Sequence, residues 1–192
     1  MSALLTPPAP VAAPPALLTA DEFFDRYEDG GYDLVDGILV EMPMPGGIHG
    51  KVCVKVAVEV ELYLRANPIG HAFCNDTFVL LRRKPDTMRG PDVCFVRFAT
   101  LPADDVPAGP LLVIPELVIE VRSPSDSWPD MERKAADYLR AGVTVVVVVD
   151  PPTVSATAFR PNDRRDIFAA DQTLTIPDVL PGFAVPVARF FE

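Results

Sequence analysis

Two acids stand in strand-like segments of this chain: Asp92 opens Asp92-Val93-Cys94-Phe95-Val96 behind Gly90-Pro91, and Glu120 stands near the end of Leu117-Val118-Ile119-Glu120-Val121. A carboxylate in an apolar run is costly to bury unless a partner charge or a cation compensates it. A third group, Lys134, falls in a helix-like segment that follows the turn Ser123-Pro124-Ser125-Asp126. Two carboxylates on strands able to pair, with a lysine on the next helix, are the parts of a divalent-metal site acting on phosphate esters.

Each of these residues also has a plainer reading. Asp92, placed after Pro91, suits a turn in which its carboxylate accepts nearby backbone N–H groups. Glu120 can form a structural ion pair with Arg122 or Lys134, and Lys134 can snorkel to solvent. His49 shares a helical stripe with Cys53, Val56 and Val60, which reads as a histidine at the edge of the core. Ser123 and Ser125 suit a turn and helix cap, since a serine nucleophile needs a histidine base and none is local. Glu41 offers a further carboxylate at the end of a hairpin, whereas Asp36 makes the turn. Asp130 and Asp137 read as a solvated helix face, and Trp128 packs on its helix or stacks on a base.

The elements that must position these groups follow from periodicity. Thr19 is a plausible cap for a short helix through Tyr27 that stops at Gly30-Gly31. Asp36-Gly37 predicts an antiparallel hairpin between Asp33–Val35 and Ile38–Met42. A helix is expected from Ile48 to Arg65, then short strands over His71–Phe73, Asp76–Leu81 and Asp92–Arg97. The separators between those strands, Arg82-Arg83-Lys84-Pro85-Asp86 and Arg89-Gly90-Pro91, hold the densest local positive charge. Leu117–Val121, a helix from Trp128 to Arg140 capped by Ser127 and ended by Gly142, and Val145–Val149 make a crossover unit whose strands should be parallel. Short antiparallel segments at Val154–Arg160, Asp166–Ala169 and Phe183–Phe190 complete an α/β core sheet with helices on both faces.

Composition bounds the function. The 192 residues suit one domain, taken as residues 19–192 behind a Pro/Ala-rich disordered tail at 1–18. No apolar run is long enough to span a bilayer, so no membrane partner is expected. The net charge of −10 argues against non-specific coating of nucleic acid but leaves room for a local cleft, where a bound cation can offset acid. Cys53, Cys74 and Cys94 are widely spaced in apolar segments and read as buried core thiols, which fits a reducing cytoplasm. The first sixteen residues carry five prolines and no basic residue, unlike a signal peptide.

A strand opened by Pro91-Asp92, a strand ending Glu120-Val121-Arg122-Ser123-Pro124-Ser125, then Lys134, Tyr138 and Gly142-Val143 before the next strand, resembles the Uma-two family. Asp36-Gly37, His49 and Asp150-Pro151 fall in the same order, so the resemblance runs from about Thr19 to Pro151. It implies the restriction-endonuclease-like fold of the PD-(D/E)XK superfamily: a mixed central sheet flanked by helices, here with an N-terminal hairpin and extra C-terminal strands. It also implies an endonuclease that cleaves nucleic acid, most often DNA, with Mg²⁺ or Mn²⁺ held by Asp92, Glu120 and the Val121 carbonyl. In the superfamily a lysine two residues after the acid orients or activates the attacking water. Arg122 stands there in this chain, and the resemblance transfers the lysine's role to Lys134, leaving His49, Arg122 and Glu41 as auxiliary groups. Arginine cannot accept a proton, but it can hold a phosphate oxygen or point to the opposite sheet face. Related enzymes often cut as dimers, so a homodimer is expected to be possible. Two rival readings stay open: a non-catalytic module binding nucleic acid or protein on the same fold, and a hydrolase of a smaller phosphate ester.

Overall fold

Thr19 caps helix α1 (Ala20–Tyr27) through a reciprocal box: its hydroxyl accepts the Glu22 N–H at 3.2 Å, and the Glu22 carboxylate accepts the Thr19 N–H at 3.0 Å. The computed structural model describes residues 16–28 and 30–192, so most of the expected tail lies outside the described residues. Leu18, assigned to that tail, belongs to the fold: its N–H donates to the Gly37 carbonyl at 2.9 Å and its side chain packs beside Phe23, Leu34 and Met88.

Strands β1 (Tyr32–Val35) and β2 (Ile38–Glu41) pair antiparallel around Asp36-Gly37, both at positive φ as this tight turn demands. Helix α2 (Gly47–Ala66) then leads into β3 (Gly70–Cys74), β4 (Val79–Arg82), β5 (Thr87–Arg89) and β6 (Val93–Arg97). The crossover unit is β7 (Leu117–Val121), α3 (Trp128–Ala141) and β8 (Val145–Asp150), with the two strands parallel as expected. Ser127 accepts the Asp130 N–H at the start of α3, and Gly142, at φ 111°, ends it in the left-handed conformation that glycine tolerates. Last come β9 (Ser155–Phe159), β10 (Arg165–Phe168), β11 (Thr173–Ile176) and β12 (Leu180–Pro186).

The central sheet has the order β10-β9-β8-β7-β6-β3 and is mixed, with only β7 and β8 parallel. Alternation along β7 divides the core. Leu117, Ile119 and Val121 pack with Val52, Val56, Val60 and Leu64 of α2 on one face; Val118 packs with Ala135 and Tyr138 of α3 on the other. Val145 to Val149 of β8 are fully buried, which accounts for their unbroken apolar run and stabilises the sheet by roughly 1.5–3 kcal/mol per side chain relative to exposure.

Several local expectations change. The strand expected from Asp76 begins only at Val79, because Asn75 and Asp76 both take positive φ and turn the chain. The stretch between the strands expected at Asp76–Leu81 and Asp92–Arg97 contains a further strand, β5, which joins the hairpin in a second sheet, β2-β1-β5-β4. Of the cysteines, only Cys94 is buried; Cys74 is exposed because it ends β3, the outermost strand of the central sheet, and Cys53 is half-buried on the flank of α2. Asp137 does not face solvent alone: it accepts from Arg89 Nη2 at 2.6 Å, while Arg89 Nη1 donates to Asp33 Oδ2 at 2.6 Å. Asp33 Oδ1 also accepts the Gly90 N–H at 3.2 Å. This buried network joins the hairpin, the approach to β6 and helix α3.

Candidate active site

Val93 on β6 lies opposite Ile119 on β7, so the antiparallel register sets Asp92 beside Glu120 at one end of the sheet. Asp92 Oδ2 accepts the Val121 N–H at 2.7 Å. The backbone-accepting reading of Asp92 is therefore realised, but across two strands, and it fixes the carboxylate at the sheet end between α2 and α3.

Glu120 is only 3% exposed, and α3 satisfies both of its oxygens. Lys134 Nζ donates to Oε2 at 2.9 Å and the Tyr138 hydroxyl to Oε1 at 2.7 Å. Lys134 and Tyr138 are one helical turn apart, which puts them on the same face of α3. Burial pushes the Glu120 carboxyl up to about 7; Lys134 and the Tyr138 hydrogen bond oppose this rise, and the charge of Asp92 adds to it. Burial alone would lower Lys134, but the Glu120 carboxylate and the charges of Asp33 and Asp92 override it and hold the ammonium form.

On the α2 side, His49 Nε2 lies 3.4 Å from Asp92 Oδ2, and Cys53 Sγ lies 3.5 Å from His49 Nδ1. The hydrogen bond to Asp92 raises the His49 pKa against the effect of burial, and the Val121 backbone and Glu120 raise it further. Burial would raise Asp92, yet its carboxyl is held below the usual range by His49, the Val121 N–H and Lys134. Burial pushes the Cys53 thiol well up, and the charge of Asp92 adds to that. These side chains line one end of a groove of about 800 Å³ that runs along α2 past Val54 and Val58. Asp76 lines the same groove. Although the residue is exposed in part, the crowding at its carboxyl raises it, through partial burial first and the charge of Asp92 second.

The expected auxiliary residues divide. His49 joins the cluster. Arg122 turns to Asp150, donating from Nε to Oδ1 at 2.7 Å, and from Nη1 to the Asp126 carbonyl at 2.9 Å, with its guanidinium 5.9 Å from the centre of the Trp128 ring. It ties the ends of β7 and β8 to the turn before α3. Glu41 is exposed at the end of β2, the edge strand of the other sheet. Ser123 and Ser125 lie 2.7 Å apart through their hydroxyls, and the Ser123 N–H donates to Asp126, as a turn requires. The separators' positive charge is largely paired within the protein: Arg82 with Asp36, Arg83 with Asp21 and Asp86, and Arg89 with Asp33 and Asp137.

Sequence reasoning passed over two parts of this cluster. Tyr138 falls beside Lys134 on the sheet-facing stripe of α3 and belongs to the resemblance, but the sequence reading gives it no part in the site, although its four-residue spacing from Lys134 is a signal for one. Cys53 was assigned to the core, although its four-residue spacing from His49 is a ligand spacing too.

No curated protein sequence matches the chain. Among solved structures, "a putative nuclease belonging to DUF820" from Anabaena variabilis ATCC 29413 is similar, with a TM-score of 0.78 at 20% identity, over 91% of this chain and 97% of that one. That likeness shows that this mixed central sheet flanked by helices is a fold with a solved counterpart. The family model of Uma2, described as "Putative restriction endonuclease", matches residues 20–188. A match that opens at the first residue of α1 and takes in every strand and helix carrying Asp92, Glu120, Lys134 and His49 means that the chain belongs to the Uma2 family.

Proposed function

We propose that the protein is a metal-dependent endonuclease that hydrolyses phosphodiester bonds of nucleic acid, with DNA as the expected substrate. The observation that carries this reading is the pairing of Asp92 with Glu120 at one sheet end, with Lys134 held on Glu120. The donor set suits a hard divalent cation, since two carboxylates and the Val121 carbonyl offer oxygen ligands. The raised Glu120 carboxyl supports the same fit, because a buried acid beside another acid is in a field that a cation relieves. Mg²⁺ or Mn²⁺ there would supply a bound water of lowered pKa and offset charge developing on the phosphate.

The protein's own residues divide the remaining work. Lys134, held as an ammonium, orients the attacking water or stabilises the charge that builds on the phosphate. Tyr138 fixes the rotamer of Glu120, and His49 holds Asp92 from the other side. A cytoplasmic setting accords with three cysteines that are free of disulfides. Among the described residues, no helix is long and apolar enough to cross a membrane.

A homodimer belongs to the same proposal. Val54, Val58 and Leu62 are exposed along α2, and pairing two copies of this helix antiparallel would set Lys51 near Glu61 of the second copy. Sedimentation of wild type and Val58→Glu tests it; a dimer that survives the charge inserted at this face would count against the surface.

The test of the main proposal is calorimetry with Mn²⁺ on wild type and Glu120→Gln, followed by nuclease assays. Binding in wild type that is lost in the variant is the expected result. Equal binding in both, or none in either, would overturn it. A hydrolase of a smaller phosphate ester is the second reading, favoured by one observation: Arg82, Arg83 and Arg89 are paired internally rather than free for a polyanion. Cleavage of nucleotide esters with no action on DNA or RNA would select it.

A further inference from the structure

His49 and Cys53 are separated by one turn of α2, the i,i+4 spacing that lets two helix residues hold one ion. Cys53 Sγ lies 3.5 Å from His49 Nδ1 and 3.9 Å from Nε2, and His49 Nε2 lies 3.4 Å from Asp92 Oδ2. One ligand atom from each residue can be chosen so that all three lie within 4.8 Å of one another. The three residues are half-buried at the end of the groove, so an ion has both an enclosure and a path in. A donor set of imidazole nitrogen, sulfur and carboxylate oxygen selects against Mg²⁺ and toward Zn²⁺ or a similar transition ion, and three protein ligands leave one tetrahedral position open.

We propose that His49, Cys53 and Asp92 form a second metal site, for Zn²⁺ or another thiophilic divalent ion, which competes for Asp92 with the Asp92–Glu120 pair. The ligand set stands on its own geometry; the consequence for activity rests on the nuclease reading above. When the sulfur–metal bond forms, the Cys53 S–H bond breaks and its proton leaves to solvent, and His49 binds through a neutral ring nitrogen. No electron transfer is involved. Thiolate and carboxylate together balance the two positive charges of the ion. Burial and the charges of Asp92, Asp76 and Glu120 keep this proton on the sulfur in the metal-free protein, so the ion itself must displace it. Asp92 is the switch point: a carboxylate committed to a zinc-type ion on the α2 side is withdrawn from a hard cation on the β7 side.

Co²⁺ provides the direct probe, because a thiolate ligand gives it a near-ultraviolet charge-transfer band. The full chain, reduced and metal-free, should develop that band on titration, saturate at one equivalent and lose the band when Zn²⁺ is added. Cys53→Ser should abolish the band, and Glu120→Gln should keep it. A wild type with no band, or a band that survives in Cys53→Ser, would overturn the proposal. If Cys53→Ser does not fold, alkylation of the wild type mapped by mass spectrometry decides: Zn²⁺ should protect Cys53 and leave the exposed Cys74 reactive, whereas equal labelling of Cys53 with and without Zn²⁺ would refute the site. The two readings fail separately. A cobalt–thiolate band without Mn²⁺-dependent cleavage removes only the nuclease, and cleavage without the band removes only this site.

Discussion

Lys134 Nζ sits 2.9 Å from Glu120 Oε2 in an ion pair whose side chains are 15% and 4% exposed. Such a pair contributes little net stability as a whole, but loss of one partner leaves a buried charge alone. Lys134→Met should therefore destabilise the fold by about 3–5 kcal/mol at pH 8 in urea melts and abolish cleavage. The double variant Lys134→Met/Glu120→Gln should recover much of that stability with no activity. If the double variant is as unstable as the single one, the lysine acts through packing and not through charge.

Tyr138 donates to the other oxygen of the same carboxylate, and a hydrogen bond to the charged form favours that form. Tyr138→Phe should raise the Glu120 carboxyl beyond its value of about 7 and cost roughly 1.5–3 kcal/mol of stability. The acid limb of the pH profile of kcat/KM should move to higher pH. An unmoved limb would mean that another group titrates there.

The metal-free protein should show opposing pH effects on its stability. His49 is raised above its ordinary 6.5, so its contribution is complete below that pH and is lost as pH rises through the folded value. Asp92 is lowered below 3.8, so its contribution is present above that pH and is lost as pH falls through the folded value. The His49–Asp92 pair therefore helps most between about 3.8 and 6.5. Glu120, raised from 4.5 to about 7, holds more protons when folded, and its contribution declines as pH climbs across that interval. Proton NMR of the imidazole checks the first part: Asp92→Asn should bring the His49 midpoint down, and an unchanged midpoint would show that the pair is not formed in solution.

Arg122 should behave as a structural residue. Asp150, its partner, has a fully buried side chain, so Arg122→Ala should cost about 3–5 kcal/mol in stability yet leave Mn²⁺ affinity unchanged by calorimetry. A stable variant with lost cleavage would instead give Arg122 a direct hold on the phosphate.

The crossover around the site was legible because each of its signals is local. Leu117–Val121 and Val145–Val149 are apolar runs, Ser127 and Gly142 punctuate α3, and the acids interrupt patterns that are otherwise apolar. The same locality explains the misses. Strand β5 is three residues long and exists because it bridges β1 and β4, a relation that no periodicity records. Asp137 has the spacing of a solvent face, and only its long-range partner Arg89 draws it inward. His49 could be read as a core-edge residue from its stripe, but its distance to Asp92 depends on how α2 lies across the sheet end. The partners of Arg82 and Arg83 likewise come from sequence-distant turns, so a run that looks basic on paper is largely neutralised in the fold.

Asp33, on the N-terminal hairpin, holds the Gly90 N–H just ahead of Asp92 and, through Arg89, holds Asp137, one turn beyond Lys134. It touches neither of those site residues, yet it braces the β6 and α3 sides of the site against a common post. The gap between carboxylate and ammonium is thus gauged by a part of the chain that carries no chemistry of its own. Lengthening or trimming the hairpin would let α3 roll on the sheet, and the fault would be felt first as a loosened fit between Lys134 and Glu120 rather than as a failure to fold.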